Sequence, residues 1–516
     1  MLTREGRDAV GVRKKTVLYA AGVLACGNLA LQALGFVYRV MLSRFAGAEG
    51  LGMFRLANSV YLVLHAGSLA GVTMACSRLS AACEAKGEKH RTGAVLHLAF
   101  SAFFTFALLS GAGLLLFRRP VAEGLLGDGR AAQAFPFMLL CLVLTGIENI
   151  LKALFIGLEC VQYTAVSETG EQLVRILAVG GLLYAFGGDS GTMAKLIFAG
   201  MAVSEVFSAL FLSCLFRRER ARLRGEKTRP DRELRRQFAA IAVPISVSAL
   251  ATNLLSAAGA VLLPRRLMAA GLESEQALAA LGTLSGMALP LMLLPAALIG
   301  SMGTALLPIV TAAHAVGNRA RVRALTGRAV MAAGLIGIPA TAVLVPLAPS
   351  LSDLLFDQPL TQRYAALLGA AAGLRSVHAA LLNALGLQSR SVLTGISAEA
   401  MQLALVYRWC AHPTMGIYGY LLAMLLSGAG AAGANLFFLR RETGFALRPM
   451  RRFVLPVLCG AAAGLWTRVF AHTFAAHFES PVAALALTLA GAGTLCLGLL
   501  RLCGLHPVTY LKARQE

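Results

Sequence analysis

The stretch QAFPFMLLCLVLTGIENILKALFI, residues 133–156, decides the fold class of this 516-residue chain. It is apolar almost throughout and long enough for one helix to cross a membrane, which takes about 20 apolar residues. Similar stretches recur along the chain, of which 57% is apolar and only 14% charged. Soluble domains carry about 45–50% apolar and about 25% charged residues, and disordered chains are low in hydrophobicity. The composition therefore excludes both classes and predicts an all-α polytopic membrane protein.

Fourteen membrane spans are predicted from these apolar stretches, which short polar breaks separate. They cover residues 17–38, 56–77, 93–117, 133–156, 163–186, 193–216, 238–262, 281–306, 325–348, 364–386, 391–411, 416–439, 453–473 and 482–504. The first has no small-residue cleavage site and is interpreted as a span, not as a removable signal peptide.

The distribution of basic residues assigns each loop to one side of the membrane. If the N-terminus is cytoplasmic and the spans alternate, most of the 47 Lys and Arg residues fall in cytoplasmic segments. This is the positive-inside pattern, and it predicts a bacterial cytoplasmic membrane protein with both termini in the cytoplasm. It also accounts for the net charge of +22. The basic residues are spread over several loops and form no single stripe, so nucleic-acid binding is not predicted.

The most charged segment, residues 217–237, lies between the sixth and seventh predicted spans. It divides the chain into a six-helix bundle at 1–216, a basic cytoplasmic linker at 217–237 and a second six-helix bundle at 238–440. Two additional helices and a cytoplasmic tail follow at 441–516. Paired bundles of this kind are typical of transporters, which bind substrate between the two halves.

Catalytic motifs are absent from the sequence. It contains no phosphate-binding loop with its lysine, no HExxH and no GxSxG with a plausible partner histidine. None of the nine histidines is paired at i, i+4, as many metal sites require. We therefore predict a protein that is not an enzyme and has no metal site or cofactor, apart from a possible coupling cation, Na⁺ or H⁺.

Ionisable side chains inside the spans are the candidate functional residues, because each is costly in lipid and must face a partner or a wet cavity. Glu148 and Lys152 lie at i, i+4 in the fourth span. In the fifth span Glu171 and Arg175 have the same spacing, with Glu168 one turn away. Such pairs could simply neutralise one another and join helices. The additional carboxylate of Glu168 favours a functional role for the second group.

Arginines near the outer ends of spans form a second candidate group. Arg39, Arg44 and Arg55 flank the first outer loop, and Arg265 with Arg266 follows the seventh span. One interpretation is that these side chains snorkel to lipid headgroups. The other is an anion-binding rim, since the planar guanidinium binds phosphate through two parallel hydrogen bonds.

Several motifs resemble one transporter family. They are LGFVYRV at 34–40, GAEGLGMF at 47–54, EQLVR at 171–175, PRRL at 264–267 and SGMALP at 285–290. Together they resemble the stage V sporulation protein B type of polysaccharide-biosynthesis transporter, in the multidrug/oligosaccharidyl-lipid/polysaccharide (MOP) exporter superfamily that also holds the lipid II flippases. The resemblance implies two six-helix bundles forming a V around a central cavity, two additional C-terminal helices, and a lipid-linked sugar as substrate.

Three functions remain open at this stage. The first is a flippase that moves an undecaprenyl diphosphate-linked saccharide to the outer leaflet, driven by the membrane potential, with membrane lipids as its other partners. The second is a cation-coupled multidrug exporter that uses Glu168 and Glu171 to bind a lipophilic cation. The third is a non-transporting scaffold for envelope or sporulation complexes, whose basic loop docks on anionic lipids. The charge that the binding residues present distinguishes the first two.

Overall fold

The computed structural model of the chain describes residues 4–219, 230–292, 310–356 without 312 and 315, 381–445 without 384, 454–477 and 480–505. Side chains are described within these ranges except at 4–29, 89–90, 472 and 475–476. The described part of the chain is helical and contains no strand, which confirms the all-α prediction. Residues 293–306 of the eighth predicted span, residues 364–380 of the tenth and residues 220–229 of the basic linker lie outside the described residues.

The helices follow the predicted spans closely. In chain order they are α1 Arg4–Ala85, α2 Lys89–Leu116, α3 Phe135–Gly157, α4 Val161–Phe186, α5 Ser190–Glu219, α6 Arg232–Ala269, α7 Ser274–Gly282, α8 Leu289–Met292, α9 Arg319–Phe356, α10 Gln388–Trp409, α11 Gly416–Thr443, α12 Leu455–His477 and α13 Pro481–Leu502. A π-helical turn, Pro120–Leu126, and a 3₁₀ turn, Gly129–Gln133, connect α2 to α3. A second π-helical turn, Thr283–Ala288, connects α7 to α8.

The first two predicted spans are joined without a loop. Helical backbone runs from Arg4 to Ala85, and the break inside it is at Gly47, with φ 65° and ψ −179°. A positive φ is accessible to glycine because it has no Cβ. The residues on either side of Gly47 contain no proline, so nothing else in this segment interrupts the helix. The predicted outer loop is therefore a single turn between two limbs of α1.

Among the described residues, eight helices are long and apolar enough to cross a membrane. They begin with the segment Ala30–Ala85, which contains both limbs of α1 from residue 30 onward. α4 is not among these eight, because Glu168, Glu171 and Arg175 lie within its apolar stretch. The chain is thus a multi-pass membrane protein, and the count of fourteen spans remains a prediction.

The chain divides into two compact units, Met1–Asn253 and Leu254–Glu516. In the first unit, buried side chains of α1, α2, α3 and the start of α6 form a core that includes Leu69, Phe103, Ile150 and Phe238. In the second unit, Val330 of α9 and Leu439 of α11 belong to another core.

Segments that are predicted to lie on the same side of the membrane do meet within the first unit. On the predicted outer side, Arg130 Nη1 contacts Glu49 Oε1 at 2.9 Å, and Gly191 lies against Arg130. On the predicted inner side, Arg91 Nη2 contacts Asp231 Oδ2 at 2.8 Å. The alternation of loops is therefore consistent with the packing of the helices.

The second unit has the same arrangement. Arg323 Nε donates to the carbonyl oxygen of Thr443 at 3.2 Å, and Arg390 Nη1 contacts Glu442 Oε1 at 2.5 Å. These contacts join three segments that the charge pattern places in the cytoplasm.

Candidate functional site

A buried ionic cluster joins α3, α4 and α5 in the first unit. It consists of three carboxylates and two cations, all of them at least partly removed from solvent: Glu148, Lys152, Glu171, Arg175 and Glu205. Glu148 is 2% exposed and Glu205 is 4% exposed. We refer to these five residues as the charge cluster. Glu168 lies at its edge, with 45% of its side chain exposed.

Lys152 connects the two acidic helices. Its Nζ forms an ion pair with Glu148 one turn earlier in α3. The same nitrogen lies 3.2 Å from Glu171 Oε2 and 3.7 Å from Glu168 Oε1, both on α4. Because an ammonium group has three donors and no acceptor, it can hold carboxylates from two helices at once. The Glu148–Lys152 pair is therefore part of a larger assembly and does not act as an isolated pair.

Arg175 makes the corresponding connection between α4 and α5. Its Nη2 pairs with Glu171 on its own helix and lies 2.9 Å from Glu205 Oε1 on α5. Its Nε donates to the hydroxyl of Ser204 at 3.2 Å. A guanidinium offers several donors in a fixed plane, so Arg175 fixes the position of α5 relative to α4.

The charges within the cluster do not balance. Three buried carboxylates face two cations, which leaves one negative charge in excess when all five groups are ionised. One oxygen from each of Glu148, Glu171 and Glu205 lies within 4.8 Å of the others. Glu148 Oε2 and Glu205 Oε2 are buried and have no hydrogen-bond partner in the part of the chain that the structure describes. These are the groups that could hold a cation or a proton.

Neutral polar contacts hold the helices around the cluster. The hydroxyl groups of Tyr61 on α1 and Thr145 on α3 lie 3.0 Å apart. Those of Ser167 on α4 and Ser208 on α5 lie 2.6 Å apart. Between helices in a membrane, such hydrogen bonds are worth about 0.6 kcal/mol on average, so they position the helices without dominating their association.

The predicted arginines of α1 lie outside the charge cluster. Arg39 and Arg44 are exposed on the first limb, and Arg55 is partly buried on the second. Arg39 and Arg55 form no ion pair with any side chain that the structure describes. Each is eight residues from Gly47, so at 1.5 Å per residue each lies about 12 Å along its limb from the break.

The predicted arginines at the end of α6 differ from each other. Arg265 is exposed. The guanidinium carbon of Arg266 lies 4.0 Å from the ring centroid of Tyr407, and its Nε donates to the carbonyl oxygen of Tyr407 at 2.9 Å. Stacking of this kind stabilises by about 0.5–1 kcal/mol at exposed sites. Arg266 therefore joins α6 to α10, which favours a packing role over the predicted anion-binding rim.

Sequence spacing identified two of the three parts of the cluster. The i, i+4 pairs on α3 and α4 are visible in the sequence, and the structure unites them. The sequence also contains Glu205 in a span, but nothing in its spacing connects it with Arg175, because the contact crosses 30 positions. A lone carboxylate in a membrane span is the signal that could have included it.

Comparison with known proteins agrees with this architecture. Residues 17–314 match the family described as polysaccharide biosynthesis protein, and this range is more than half of the chain. The chain belongs to the polysaccharide biosynthesis protein family. Among its relatives, stage V sporulation protein B of Bacillus subtilis (strain 168) is 25% identical over 304 residues, which are 58% of this chain and 58% of that protein. The match therefore spans less than two thirds of that relative.

Two solved structures show that this family member has the fold of MOP superfamily transporters. An inward-facing multidrug resistance MATE family transporter superposes with a TM-score of 0.69 at 17% identity, over 81% of this chain and 98% of that one. The lipid II flippase MurJ, in an inward closed conformation, superposes with a TM-score of 0.68 at 12% identity, over 93% of this chain and 99% of that one.

Proposed function

We propose that this member of the polysaccharide biosynthesis protein family is a flippase of the bacterial cytoplasmic membrane. It moves an undecaprenyl diphosphate-linked saccharide from the inner to the outer leaflet by alternating access, with both chain termini in the cytoplasm. Family membership supports a role in polysaccharide or cell-wall synthesis. The fold shared with a lipid II flippase supports the transport of a lipid-linked headgroup.

The proposal rests on which charged side chains lack an ion-pair partner among the described residues and so remain available to a substrate. Glu171, one of the two carboxylates that a cation exporter would use, is held by both Lys152 and Arg175. In contrast, Arg39 and Arg55 have no carboxylate partner among the described side chains. Arginines without a described carboxylate partner, together with a Glu171 that two cations hold, suit an anionic diphosphate better than a lipophilic cation. This favours the flippase over the multidrug exporter, although the exporter shares the fold.

The membrane potential supplies the driving force in this proposal. A diphosphate with about two negative charges gains roughly 2.3 kcal/mol per charge per 100 mV when it moves away from a negative interior. Two charges gain about 4–5 kcal/mol, which biases the leaflet distribution about a thousandfold at about 1.4 kcal/mol per factor of ten. No ATP is required, in keeping with the missing phosphate-binding loop.

The test is transport by the purified full chain in vesicles. The probe is a fluorescent undecaprenyl diphosphate-linked saccharide, and a membrane-impermeant quencher reports the leaflet it occupies. We expect wild type to move the probe and Arg39→Ala and Arg55→Ala to lose at least tenfold in rate. Protein levels should be unchanged, because neither side chain forms an ion pair with a described side chain.

A matched control distinguishes substrate binding from general charge. Arg118 is exposed in the predicted outer loop after α2, and Arg118→Ala should transport like wild type. Normal transport by both Arg39→Ala and Arg55→Ala would refute the assignment of these residues. Failure of wild type to move the diphosphate probe, with movement of a lipophilic cation instead, would favour the exporter.

A further inference from the structure

We propose that the charge cluster binds one exchangeable proton, shared between the carboxyl groups of Glu148 on α3 and Glu205 on α5. The sequence presents Glu148 only as the partner of Lys152, and the carboxylates predicted to bind substrate are Glu168 and Glu171. The binding of the proton depends on the cluster alone. Its use as a coupling ion rests on the proposed transport function.

The charge of the cluster favours one bound proton. Glu148, Glu171 and Glu205 are each less than 9% exposed, and only Lys152 and Arg175 oppose them. An uncompensated charge that is removed from water costs several kcal/mol, and a buried group with such an excess neutralises instead of remaining ionised. One proton removes the single excess negative charge.

The positions of two buried oxygen atoms without partners also favour a bound proton. Glu148 Oε1 is engaged by Lys152, and Glu205 Oε1 is engaged by Arg175. The second oxygen of each carboxyl group is buried and has no hydrogen-bond partner among the described residues. One oxygen of Glu148 and one oxygen of Glu205 lie within 4.8 Å of each other. A proton between them converts two repelling acceptors into an O–H···O⁻ hydrogen bond, which is among the strong ones.

A proton fits the cluster better than a metal ion does. Hard metal cations such as Ca²⁺ take six to eight oxygen ligands. Here Lys152 Nζ and Arg175 Nη2 already lie between the carboxylates, at 3.2 Å from Glu171 Oε2 and 2.9 Å from Glu205 Oε1. These nitrogens occupy the positions that a metal would take and repel a further cation. A proton requires only the two remaining oxygens.

Other titratable and charged groups surround the shared site on every packed helix. They are Tyr38, Tyr61 and, beside Tyr61, His65 on α1; Cys141 and Lys152 on α3; and Glu168, Glu171 and Arg175 on α4. Among these acids Glu168 has 45% of its side chain exposed and lies 3.7 Å from Lys152 Nζ. Glu168 is therefore the acid of this set that lies at the exposed edge of the charge cluster.

Infrared difference spectroscopy of the full chain in vesicles tests proton binding directly. At neutral pH, wild type should show the carbonyl stretch of a protonated carboxyl group, shifted in heavy water. Glu148→Gln and Glu205→Gln should each lose it, because either substitution leaves two carboxylates facing two cations. Glu123→Gln, an exposed loop carboxylate, is the matched control and should keep the band.

Each result decides the proposal. A wild-type spectrum without the band, or a band that survives in both glutamine variants, overturns it, as does saturable binding of ²²Na⁺ that both variants abolish. Gel filtration shows whether a variant is folded. If one variant does not fold, the other is used for the test.

Coupling is tested with the labelled lipid. A pH gradient alone should drive transport by wild type, and transport should be at least tenfold slower in either glutamine variant. Transport by wild type that is indifferent to the gradient overturns coupling. The band without any transport by wild type leaves the proton site intact and refutes the proposed function.

Discussion

Substitution of Arg175 by methionine should destabilise the first unit strongly. The guanidinium pairs with Glu171 and lies 2.9 Å from Glu205 Oε1, and 17% of the side chain is exposed. Methionine fills a similar volume but leaves Glu171 and Glu205 without this cation. The substitution therefore adds one uncompensated negative charge to the cluster. Removal of one partner from a buried ion pair typically costs 3–5 kcal/mol.

The loss should appear as a lower melting temperature. For a unit of about 250 residues, 1 kcal/mol corresponds to roughly 2–4 °C, so we expect Arg175→Met to melt about 6–20 °C below wild type. A thiol-reactive fluorogenic dye is a suitable reporter, because Cys76 and Cys141 are fully buried in this unit. Tryptophan fluorescence is unsuitable, since Trp409 and Trp466 are the two tryptophans of the chain and both lie in the second unit.

A double substitution separates charge from packing. Arg175→Met with Glu171→Gln restores the net charge of the wild-type cluster and should recover at least half of the lost melting temperature. Arg118→Met, at an exposed position, should melt within about 2 °C of wild type. If Arg175→Met also melts within about 2 °C of wild type, or if the double variant is no more stable than the single one, the electrostatic reasoning is wrong.

Three further predictions concern topology, energy and packing. A reporter fused after Arg224 should be cytoplasmic and one inserted at 187–191 external; an external signal at Arg224 would refute the fourteen-span arrangement. Collapse of the potential with valinomycin and potassium, at constant pH gradient, should slow transport of the lipid probe at least tenfold, and an unchanged rate would reject the potential as the main drive. Gly146→Leu should reduce the amount of folded protein, measured by gel filtration, because a Cβ at Gly146 would lie 2.0 Å from the buried ring of Phe103; a normal yield would show that the ring can move aside.

The fold was predictable from the sequence because its signals are local. A run such as 133–156 needs only length and hydropathy to be assigned to a membrane helix, and α3 begins and ends within two residues of that prediction. The joined limbs of α1 were not predictable in the same way. The segment 39–55 contains five polar residues and three glycines among apolar ones, a composition compatible with a loop or a helix. Only the backbone at Gly47 shows where the chain turns.

Within the candidate site, the sequence predicts only the contacts between residues of the same helix. Spacing of i, i+4 brings Glu171 to Arg175, but the contact of Arg175 with Glu205 depends on how α4 and α5 pack. The contact between Arg266 and Tyr407 could not be predicted for the same reason, since Tyr407 is 141 positions away. Contacts between helices depend on rotation about the helix axis, which hydropathy alone does not define.

The arrangement of charges within each helix also bears on how the protein is inserted during synthesis. A charged residue at the centre of a span costs about 2.5–3.5 kcal/mol on insertion scales. Glu148 with Lys152 and Glu171 with Arg175 pair within their own helices, so α3 and α4 can enter the bilayer largely neutralised before their neighbours are made. Glu205 has no such partner one turn away on α5, and it is synthesised last. α5 can still insert, because Arg175 of α4 is already in the membrane and can pair with Glu205. The order of synthesis therefore matches the order in which the charges can be compensated.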